Sequence, residues 1–378
     1  MADPAPTIAP AAAEPGKAAY YEANQWKLMK RRFRKHRAAY WCAHFVFLLY
    51  ALCLAAPFLA PYDPVEMHAN QINLPPQVVH VGFVEGYSIP RPYVHPYKLI
   101  QDPVTLSRLY SVDESNRVPI RFFVEGRSWN LFGLEPKLHL FGVDQGQTCF
   151  LFGTGKLGQD VFSRLLYGGR VSLLLGLMGV ALSFVLGLTL GGISGYYGGR
   201  IDMIIQRTAE VLMTIPAIPL WLALAAAIPK NWSSLEVYWG MTMILACIGW
   251  TGMCRTVRGK LLSLREEDYA KAALLAGASE KRIIAVHLIP NFSSHIIASI
   301  SLAVPHMILA ETSLSFLGLG LGPPVVSWGV LMQEITVDSV INQPWLLMPA
   351  VCVVLVVLSF NFMGDGLRDA LDPMMLNN

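Results

Sequence analysis

The chain contains six apolar segments that are long enough to cross a lipid bilayer. They lie at residues 40–60, 171–193, 203–228, 237–256, 294–318 and 345–364. A helix needs about 20 mainly apolar residues to span the roughly 30 Å hydrocarbon core. The composition agrees, because 54% of the 378 residues are hydrophobic and only 15% are charged, against about 25% in soluble domains. The sequence therefore predicts an all-α polytopic membrane protein with six transmembrane helices.

The positions of the basic residues predict which side of the membrane each loop occupies. A basic run precedes the first span, and the loop at 257–293 is also rich in Lys and Arg, whereas residues 319–344 contain neither. Because cytoplasmic loops carry the excess of Lys and Arg, we expect both termini and residues 257–293 to be cytoplasmic. A basic run can also bind RNA, but this one abuts a span and lacks interleaved aromatic residues, so we expect no nucleic-acid partner.

The segments divide the chain into regions of different character. We expect a disordered, basic tail over residues 1–38, a first transmembrane helix over 39–60, an extracytoplasmic domain over 61–168, a transmembrane domain over 169–368 and a cytoplasmic tail over 369–378. Residues 61–168 contain scattered charges, many prolines and alternating stretches such as Val118–Val124, which predicts a mixed, strand-rich fold. Only Cys149 falls within them, so that fold does not depend on a disulfide. None of the six cysteines has metal-ligand spacing.

A polar, basic and helix-forming stretch at residues 269–290 lies between two long apolar segments. A Lys or Arg at the centre of a membrane span costs roughly 2.5–3.5 kcal/mol on insertion scales. The stretch therefore lies in water between two spans, where a partner protein can reach it.

This stretch resembles the EAA loop of ABC-importer permeases, the cytoplasmic helix that docks into the ATPase subunit. Ala272, Ala273, Gly277 and Pro290 fit the family pattern at the right spacing, whereas Lys271 and His287 depart from it. The resemblance implies a coupling helix over about 263–280 that moves with the ATPase as a rigid body. The residues to which it assigns ATPase coupling are Arg265, Glu266, Asp268, Tyr269, Lys271, Ala272, Ala273, Gly277, Ile289 and Pro290. We expect Pro290 to act as a helix breaker and Gly277 as a site of close approach.

Further motifs resemble the C-type subunit of dipeptide, oligopeptide and nickel permeases. They are the entry to the second span at 153–170, Gly195–Gly199, Leu314–Gly320, Trp328-Gly329 and Asp365–Pro373, with Gly155 and Gln159 departing from the family. The resemblance implies a bacterial inner-membrane importer for peptides, or for oligosaccharides, opines or nickel. It also implies three kinds of partner: a homologous B-type permease, one or two cytoplasmic ABC ATPase subunits and an extracytoplasmic substrate-binding protein.

The segment Gly153–Gly158 also fits the GxGxxG pattern of dinucleotide-binding proteins. That site needs a βαβ unit and an acidic residue about 20 residues further on, where this chain enters a span. It is not a Walker A loop either, because Leu157 follows Lys156. We therefore expect this chain to bind no cofactor, with ATP and Mg bound by the partner ATPase subunits.

Pro216, Pro219 and Glu311 are the candidate pathway or gate residues. The two prolines should distort the third span, either where it lines a pathway or merely where it bends for packing. Glu311 is the one acid well inside the fifth span, and such residues are functional by default, but we favour a structural acid bonded to a neighbouring helix because no partner base is identifiable. No catalytic constellation occurs, so we expect no enzyme. The alternatives are an ion-coupled secondary transporter, which needs intramembrane acid–base pairs, and a membrane-anchored sensor, which needs fewer spans.

Overall fold

The computed structural model describes residues 25–84, 87–101, 108–129, 135–144, 146–229 and 231–371. In chain order the helices are α1 Gln25–Lys35, α2 Arg37–Leu54, α3 Ala56–Leu59, α4 Val161–Tyr197, α5 Gly199–Thr214, α6 Ala217–Ala226, α7 Ser234–Leu264, α8 Asp268–Leu275, α9 Glu280–Arg282, α10 Ser293–Phe316, α11 Trp328–Gln333, α12 Val337–Asn342 and α13 Met348–Leu371. Five helical stretches in the described residues are long and apolar enough to cross a membrane, or six if the bent pair α5 and α6 counts as one span. The predicted polytopic helical fold is confirmed.

The first span begins earlier than the sequence predicted, and part of the expected tail is ordered. Helix α1 occupies residues that we expected to be disordered, because Met29 and Phe33 are half-buried and Phe33 lies beside Gly366 of α13. The helix is interrupted at His36. The Nδ1 of His36 accepts a hydrogen bond from the backbone N–H of Ala39 at 3.2 Å and so caps α2. The remaining tail residues, 1–24 and 372–378, lie outside the described residues.

The third span is not one distorted helix. Helices α5 and α6 meet at 91°, and the break falls at Ile215 and Pro216, which are extended. The physical reason is the restricted backbone before proline: the residue that precedes Pro216 is pushed out of the helical region. The prediction that prolines distort this span is confirmed, although the bend is much sharper than a kink.

Helices α4 and α7 pack closely along a row of glycines. Gly187, Gly191 and Gly195 lie one turn apart on α4, where an added Cβ would stand 2.6 Å from Met253 Cβ, 2.6 Å from the Cys254 carbonyl oxygen and 2.9 Å from Leu261 Cβ, respectively. Small residues at i and i+4 let two membrane helices approach at backbone distance. The glycines of this span therefore serve close packing between α4 and α7.

Helix α4 is longer than the predicted second span and extends out of the bilayer. Its 37 residues correspond to about 55 Å at 1.5 Å per residue, well beyond the hydrocarbon thickness. Asp160 caps its first turn, accepting from the Ser163 backbone N–H at 2.9 Å. The domain between the first two spans therefore ends at residue 160 rather than 168, because this cap starts the helix before the apolar run begins.

The domain of residues 61–160 consists of short strands, as predicted. They are β1 Val79–Gly82, β2 Arg91–Val94, β3 Tyr97–Gln101, β4 Arg108–Val112, β5 Val118–Pro119, β6 Arg121–Glu125 and β7 Leu138–Gly142. Antiparallel pairing gives a β1–β2–β5 sheet and two separate pairs, β3–β4 and β6–β7. The alternating stretch at 118–124 forms strands but is split at Ile120, which is buried beside Phe141 and Cys149 in a small core.

Thr154 is held inside the domain and also links it to the last span. The Thr154 backbone N–H donates to the Leu74 carbonyl at 2.9 Å, and Trp345, just before α13, donates from Nε1 to the Thr154 carbonyl at 3.2 Å. Gly153 and Gly158 have positive φ, and a Cβ at Gly158 would overlap the His68 carbonyl oxygen. Two of the three glycines of the GxGxxG pattern, Gly153 and Gly158, therefore serve close backbone packing inside the domain. We name the side of the membrane that carries residues 61–160 the domain side.

Candidate functional site

The predicted coupling segment lies at the end of the bundle away from the domain. Helix α4 starts at the domain and ends at Tyr197, and Arg265 donates from Nη1 to the Gly195 and Tyr196 carbonyls at 3.3 and 3.1 Å. Instead of one helix over 263–280, the segment contains α8, a turn at 276–279, the short α9, a π-helix Ile283–Leu288 and a 3₁₀ turn Ile289–Phe292. The single-helix prediction is wrong because the chain reverses at Gly277.

Gly277 ends α8 in a Schellman motif. Its backbone has φ of +80°, its N–H donates to the Leu274 carbonyl at 3.0 Å, and the Ala278 N–H donates to the Ala273 carbonyl at 3.1 Å. This left-handed cap favours glycine because it has no Cβ. Within the described residues nothing lies within 4 Å of a Cβ placed there, so backbone conformation rather than a close approach in this chain accounts for the glycine.

The buried face of the segment holds it to the end of α7. Ala270, Ile283, Leu288 and Phe292 form an apolar cluster with the α7 side chains Val257 and Leu261. Ala273, one turn from Ala270, packs against the same cluster, and Ile289 is partly buried beside it. Two of the motif residues, Ala273 and Ile289, therefore serve to fix the segment on its own bundle.

The opposite face of α8 is apolar but lies in the open. Leu275 is 89% exposed, and Leu274 and Tyr269 are also exposed. Ala272 and Lys271 lie on the same exposed side. Soluble surfaces rarely collect exposed large apolar residues unless a partner covers them, so this face, composed of Tyr269, Ala272, Leu274 and Leu275, is the candidate docking face.

The charged residues of the segment lie around that face rather than in the cluster. Glu266 and Lys271 form an exposed ion pair at 3.5 Å, and Asp268 lies in the first turn of α8, where a negative charge complements the helix dipole. Pro290 is exposed at the start of the 3₁₀ turn. It follows the π-helix and lacks an N–H, so it ends the helical hydrogen-bond pattern there, as predicted for a breaker.

Two further contacts tie the base of the segment to the bundle, and sequence reasoning missed both. Asp202 of α5 pairs with Arg258 of α7 through two hydrogen bonds, and Tyr197 donates to Glu280 at 2.6 Å. Arg258 lies 56 residues from Asp202, so their pairing does not follow from spacing along the sequence. A basic residue just after the predicted span 237–256 and an acid just before the span 203–228 form the signal that could have indicated the first pair.

Glu311 is enclosed between helices. Ser172 of α4 donates from Oγ to Oε2 at 2.8 Å, and Ser315 donates to Oε1 at 2.9 Å. The Ser172 oxygen also accepts from the Trp328 backbone N–H at 3.2 Å, so the carboxylate joins α4, α10 and α11. This geometry favours the structural alternative for Glu311. His306 is exposed on α10 and is not among its hydrogen-bond partners.

The two candidate pathway prolines lie on an open surface at the break between α5 and α6, where both are exposed. A second open feature, which the sequence did not reveal, is a recess of about 310 Å³ midway along α4, α7 and α10. Its lining includes the polar side chains of Ser183, Ser299 and His306, with Gly252 leaving space on α7. These two surfaces, rather than the enclosed Glu311, are open to solute or to a neighbouring subunit.

The fold and the segment are those of a multi-pass permease, and comparison with known proteins agrees. Residues 187–377 match the family described as the binding-protein-dependent transport system inner membrane component. Residues 24–76 match the N-terminal transmembrane domain of oligopeptide transport permease C. The chain therefore belongs to the binding-protein-dependent transport family and is a multi-pass inner-membrane protein, as the resemblance predicted.

Individual relatives carry peptide-transport names. The chain is 40% identical to the dipeptide transport system permease protein DppC of Bacillus subtilis over 226 residues, which are 59% of this chain and 68% of that protein. It is 37% identical to the oligopeptide transport system permease protein OppC of Haemophilus influenzae over 253 residues, 67% of this chain and 76% of that protein. Among solved structures, a chain of the inward-facing MetNI methionine ABC transporter matches 56% of this chain and 97% of its own length, at 16% identity and a TM-score of 0.45.

Proposed function

We propose that this chain is the C-type permease subunit of an ABC importer for peptides. With a homologous B-type permease it forms the transmembrane pathway, and ATP hydrolysis in partner subunits drives transport. The observation that carries the proposal is the exposed apolar face of α8 on a segment whose other face is fixed to the bundle. The names of the DppC and OppC relatives support peptides as the substrate class.

The segment is built to transmit motion to the spans. Its buried cluster continues into α7, and Arg265 links it to the end of α4. A cytoplasmic ATPase binds the docking face, and its position differs between two nucleotide states. When the ATPase moves, the ends of α7 and α4 move together with the segment. Contacts that differ between the two states are required, because a contact of equal strength in both shifts nothing. This chain itself is a non-catalytic subunit that binds neither ATP nor Mg.

The orientation follows from the basic residues. The segment is cytoplasmic, both termini are cytoplasmic, and residues 61–160 face the outside. An extracytoplasmic substrate-binding protein delivers the solute on the domain side. Pro216, Pro219 and the recess with His306 face the pathway between the two permeases, and Glu311 holds α4, α10 and α11 in register behind it. An ionisable histidine at mid-membrane depth that faces open space supports this reading of the recess.

Two measurements on the native complex test the proposal. Affinity purification of the tagged chain from its own membranes should recover a second permease and ATPase subunits, with ATP hydrolysis stimulated by a peptide-loaded binding protein. Recovery of the chain alone, with peptide uptake that follows an ion gradient and ignores ATP, would favour the secondary transporter.

Accessibility labelling tests the orientation separately. The two labelling variants are Ser279→Cys, in the turn after α8, and Ser115→Cys, in the domain. Both positions are exposed. A membrane-impermeant maleimide added to intact spheroplasts should label Cys at 115 but reach Cys at 279 only after permeabilisation. Labelling of both from the same side would contradict the six-span arrangement.

A further inference from the structure

The β6–β7 pair lies directly beside the end of the first span. The His139 ring on β7 lies between two backbone carbonyls, with Nδ1 2.8 Å from the Ala60 oxygen and Nε2 3.0 Å from the Arg127 oxygen. Phe58 of α3 contacts Phe123 of β6, with ring centroids 6.4 Å apart. The strand pair is therefore held within a few residues of the point where the chain leaves the membrane.

That point is close to the boundary of the hydrocarbon. Helix α2 has 18 residues, which correspond to about 27 Å, nearly the full hydrocarbon thickness. Only Ala55 separates it from α3, so we expect Phe58 to lie at the level of the lipid headgroups. One side of α2 packs on α13, and the other exposes Trp41, Phe47, Leu48 and Leu54. This exposed side is a lipid-facing surface that leads up to Phe58.

The strand pair continues that surface with two adjacent phenylalanines. Phe122 is 60% exposed and Phe123 is 63% exposed, and Leu138 on the opposite strand is also exposed. Phe123 has φ of +57°, an uncommon conformation that is a genuine outlier for a bulky residue. Successive strand residues normally point to opposite faces, whereas here both rings remain out of the domain core. We name Phe122, Phe123 and Leu138 the hairpin face.

Basic side chains lie at the end of the same strand pair. Arg127 and Lys137 are exposed where β6 and β7 meet, joined through the Gly126 N–H to Lys137 carbonyl bond at 2.7 Å. Arg127 also pairs with Asp63 at 2.8 Å, just after the first span. Aromatic rings beside Lys and Arg are the combination found at membrane interfaces, where rings enter the acyl boundary and cations meet phosphate.

We propose that the hairpin face inserts into the interfacial layer of the lipid leaflet on the domain side, with Arg127 and Lys137 at the level of the phospholipid phosphates. The occupant of this face is lipid, because the face continues the lipid-exposed side of α2 and is fixed beside it through Ala60 and Phe58. The domain is thereby held against the membrane at one edge, which sets its tilt above the spans.

Depth-dependent fluorescence quenching tests this in the assembled transporter reconstituted into liposomes. An environment-sensitive fluorescent amino acid is introduced by codon suppression at position 123, or at position 81 as the matched control. Val81 is 76% exposed on the edge strand β1, so it has similar exposure but belongs to a different sheet. Lipids with a nitroxide near the headgroup should quench the probe at 123 at least about twofold more strongly than the probe at 81. Equal, weak quenching at both positions would overturn the proposal.

A second probe at a different position controls for the possibility that substitution at 123 changes the unusual backbone there. A photoreactive benzophenone amino acid at position 122, where φ is not positive, should crosslink to phospholipid, detected by mass spectrometry of the isolated chain. Crosslinking to the binding protein or to the partner permease instead would show that a protein covers the face, and would also overturn the proposal. Peptide transport is not needed for either readout, so failure of the proposed substrate class is distinguishable from failure here.

Discussion

The two regions of the chain that extend from the membrane are attached to it in different ways. The domain at 61–160 is joined to the spans by polar contacts: the Thr154 carbonyl accepts from Trp345, and Asp160 caps α4. The segment at 265–292 is held mainly by an apolar cluster on α7. The domain meets the spans through polar contacts, whereas α8 leaves an apolar face in the open.

This difference indicates which region is free to serve as a moving contact. Buried hydrogen bonds are directional and costly to leave unmade, so the domain side of the bundle is rigidly joined to α4 and α13. An apolar cluster tolerates small shifts without losing a specific bond, and the exposed face of α8 gains most when a partner covers it. The contrast predicts large stability effects from substitutions at the domain joint and mainly functional effects at the segment.

The largest effect should come from Asp160 at the domain joint. Burial raises the pKa of its carboxyl to about 6, although the two hydrogen bonds from Ser163 oppose this. The folded protein therefore binds the proton more tightly than the unfolded chain, and stability should fall as the pH rises from about 4 to about 6, by roughly 3 kcal/mol. Thermal unfolding of the complex at several pH values in this range should show stability falling as the pH rises. Asp160→Asn should remove this pH dependence while still capping the N-terminus of α4.

Asp113 provides the control with the opposite sign. Its pKa is lowered by hydrogen bonds from Ser115 and by Lys98. The stability it contributes is present above its unfolded pKa and is lost as the pH falls through its folded pKa. Asp113→Asn should therefore leave the slope between pH 4 and 6 intact. Loss of that slope in Asp113→Asn, or its persistence in Asp160→Asn, would contradict the assignment.

The next effect concerns the ion pair that joins the start of α4 to the end of α11. Arg164 is nearly buried and donates two hydrogen bonds of 2.7 Å to Glu334, which is about one-third exposed. Arg164→Ala should destabilise the protein by about 2 kcal/mol, less than for a fully buried pair because Glu334 regains water. The measurement is the unfolding midpoint of the complex in lipid nanodiscs.

An exposed pair of the same composition is the matched control. Arg207 and Glu210 form a 3.0 Å pair on α5 in which both side chains are exposed. Arg207→Ala should change stability by no more than about 0.5 kcal/mol. Similar shifts for the two variants would mean that the contact between α4 and α11 is no more tightly held than the surface.

At the segment, the expected effect is on coupling. Leu275→Asp places a charge on the docking face without touching the buried cluster, because Leu275 is almost fully exposed. Stimulation of ATP hydrolysis by the loaded binding protein should fall about tenfold, since burying an unpaired charge opposes docking. Val81 is a similarly exposed apolar residue on the domain, and Val81→Asp should leave the stimulation of ATP hydrolysis nearly unchanged. An equal loss in both variants would argue against α8 as the docking face.

The smallest effect should be at the cap of α8. Gly277→Ala has space for its methyl group but must adopt positive φ, which costs about 1 kcal/mol. Hydrogen exchange of residues 268–283 should become faster, with little change elsewhere. Gly259→Ala in the C-terminal part of α7, also with open space around it, should instead slow exchange locally, because alanine favours a helix. Faster exchange in both variants would contradict the capping role.

The sequence by itself determined the class of the protein and the location of its parts. The apolar runs and the charges between them predicted the membrane spans, the polar segment at 269–290 and the strand-rich region after the first span. Each of these depends on local properties, hydrophobic length and charge, which act within a stretch of about 20 residues. The family resemblance rested on motifs that are equally local.

Only the tertiary structure decided which residues meet. Arg164 finds Glu334 at a separation of 170 residues, and Glu311 finds Ser172 at 139. The early start of α4 and the end of α8 at Gly277 likewise followed from helix caps rather than from hydrophobic length. Buried polar side chains must be satisfied by whatever partner the packed helices bring within reach, and a linear pattern does not contain that distance.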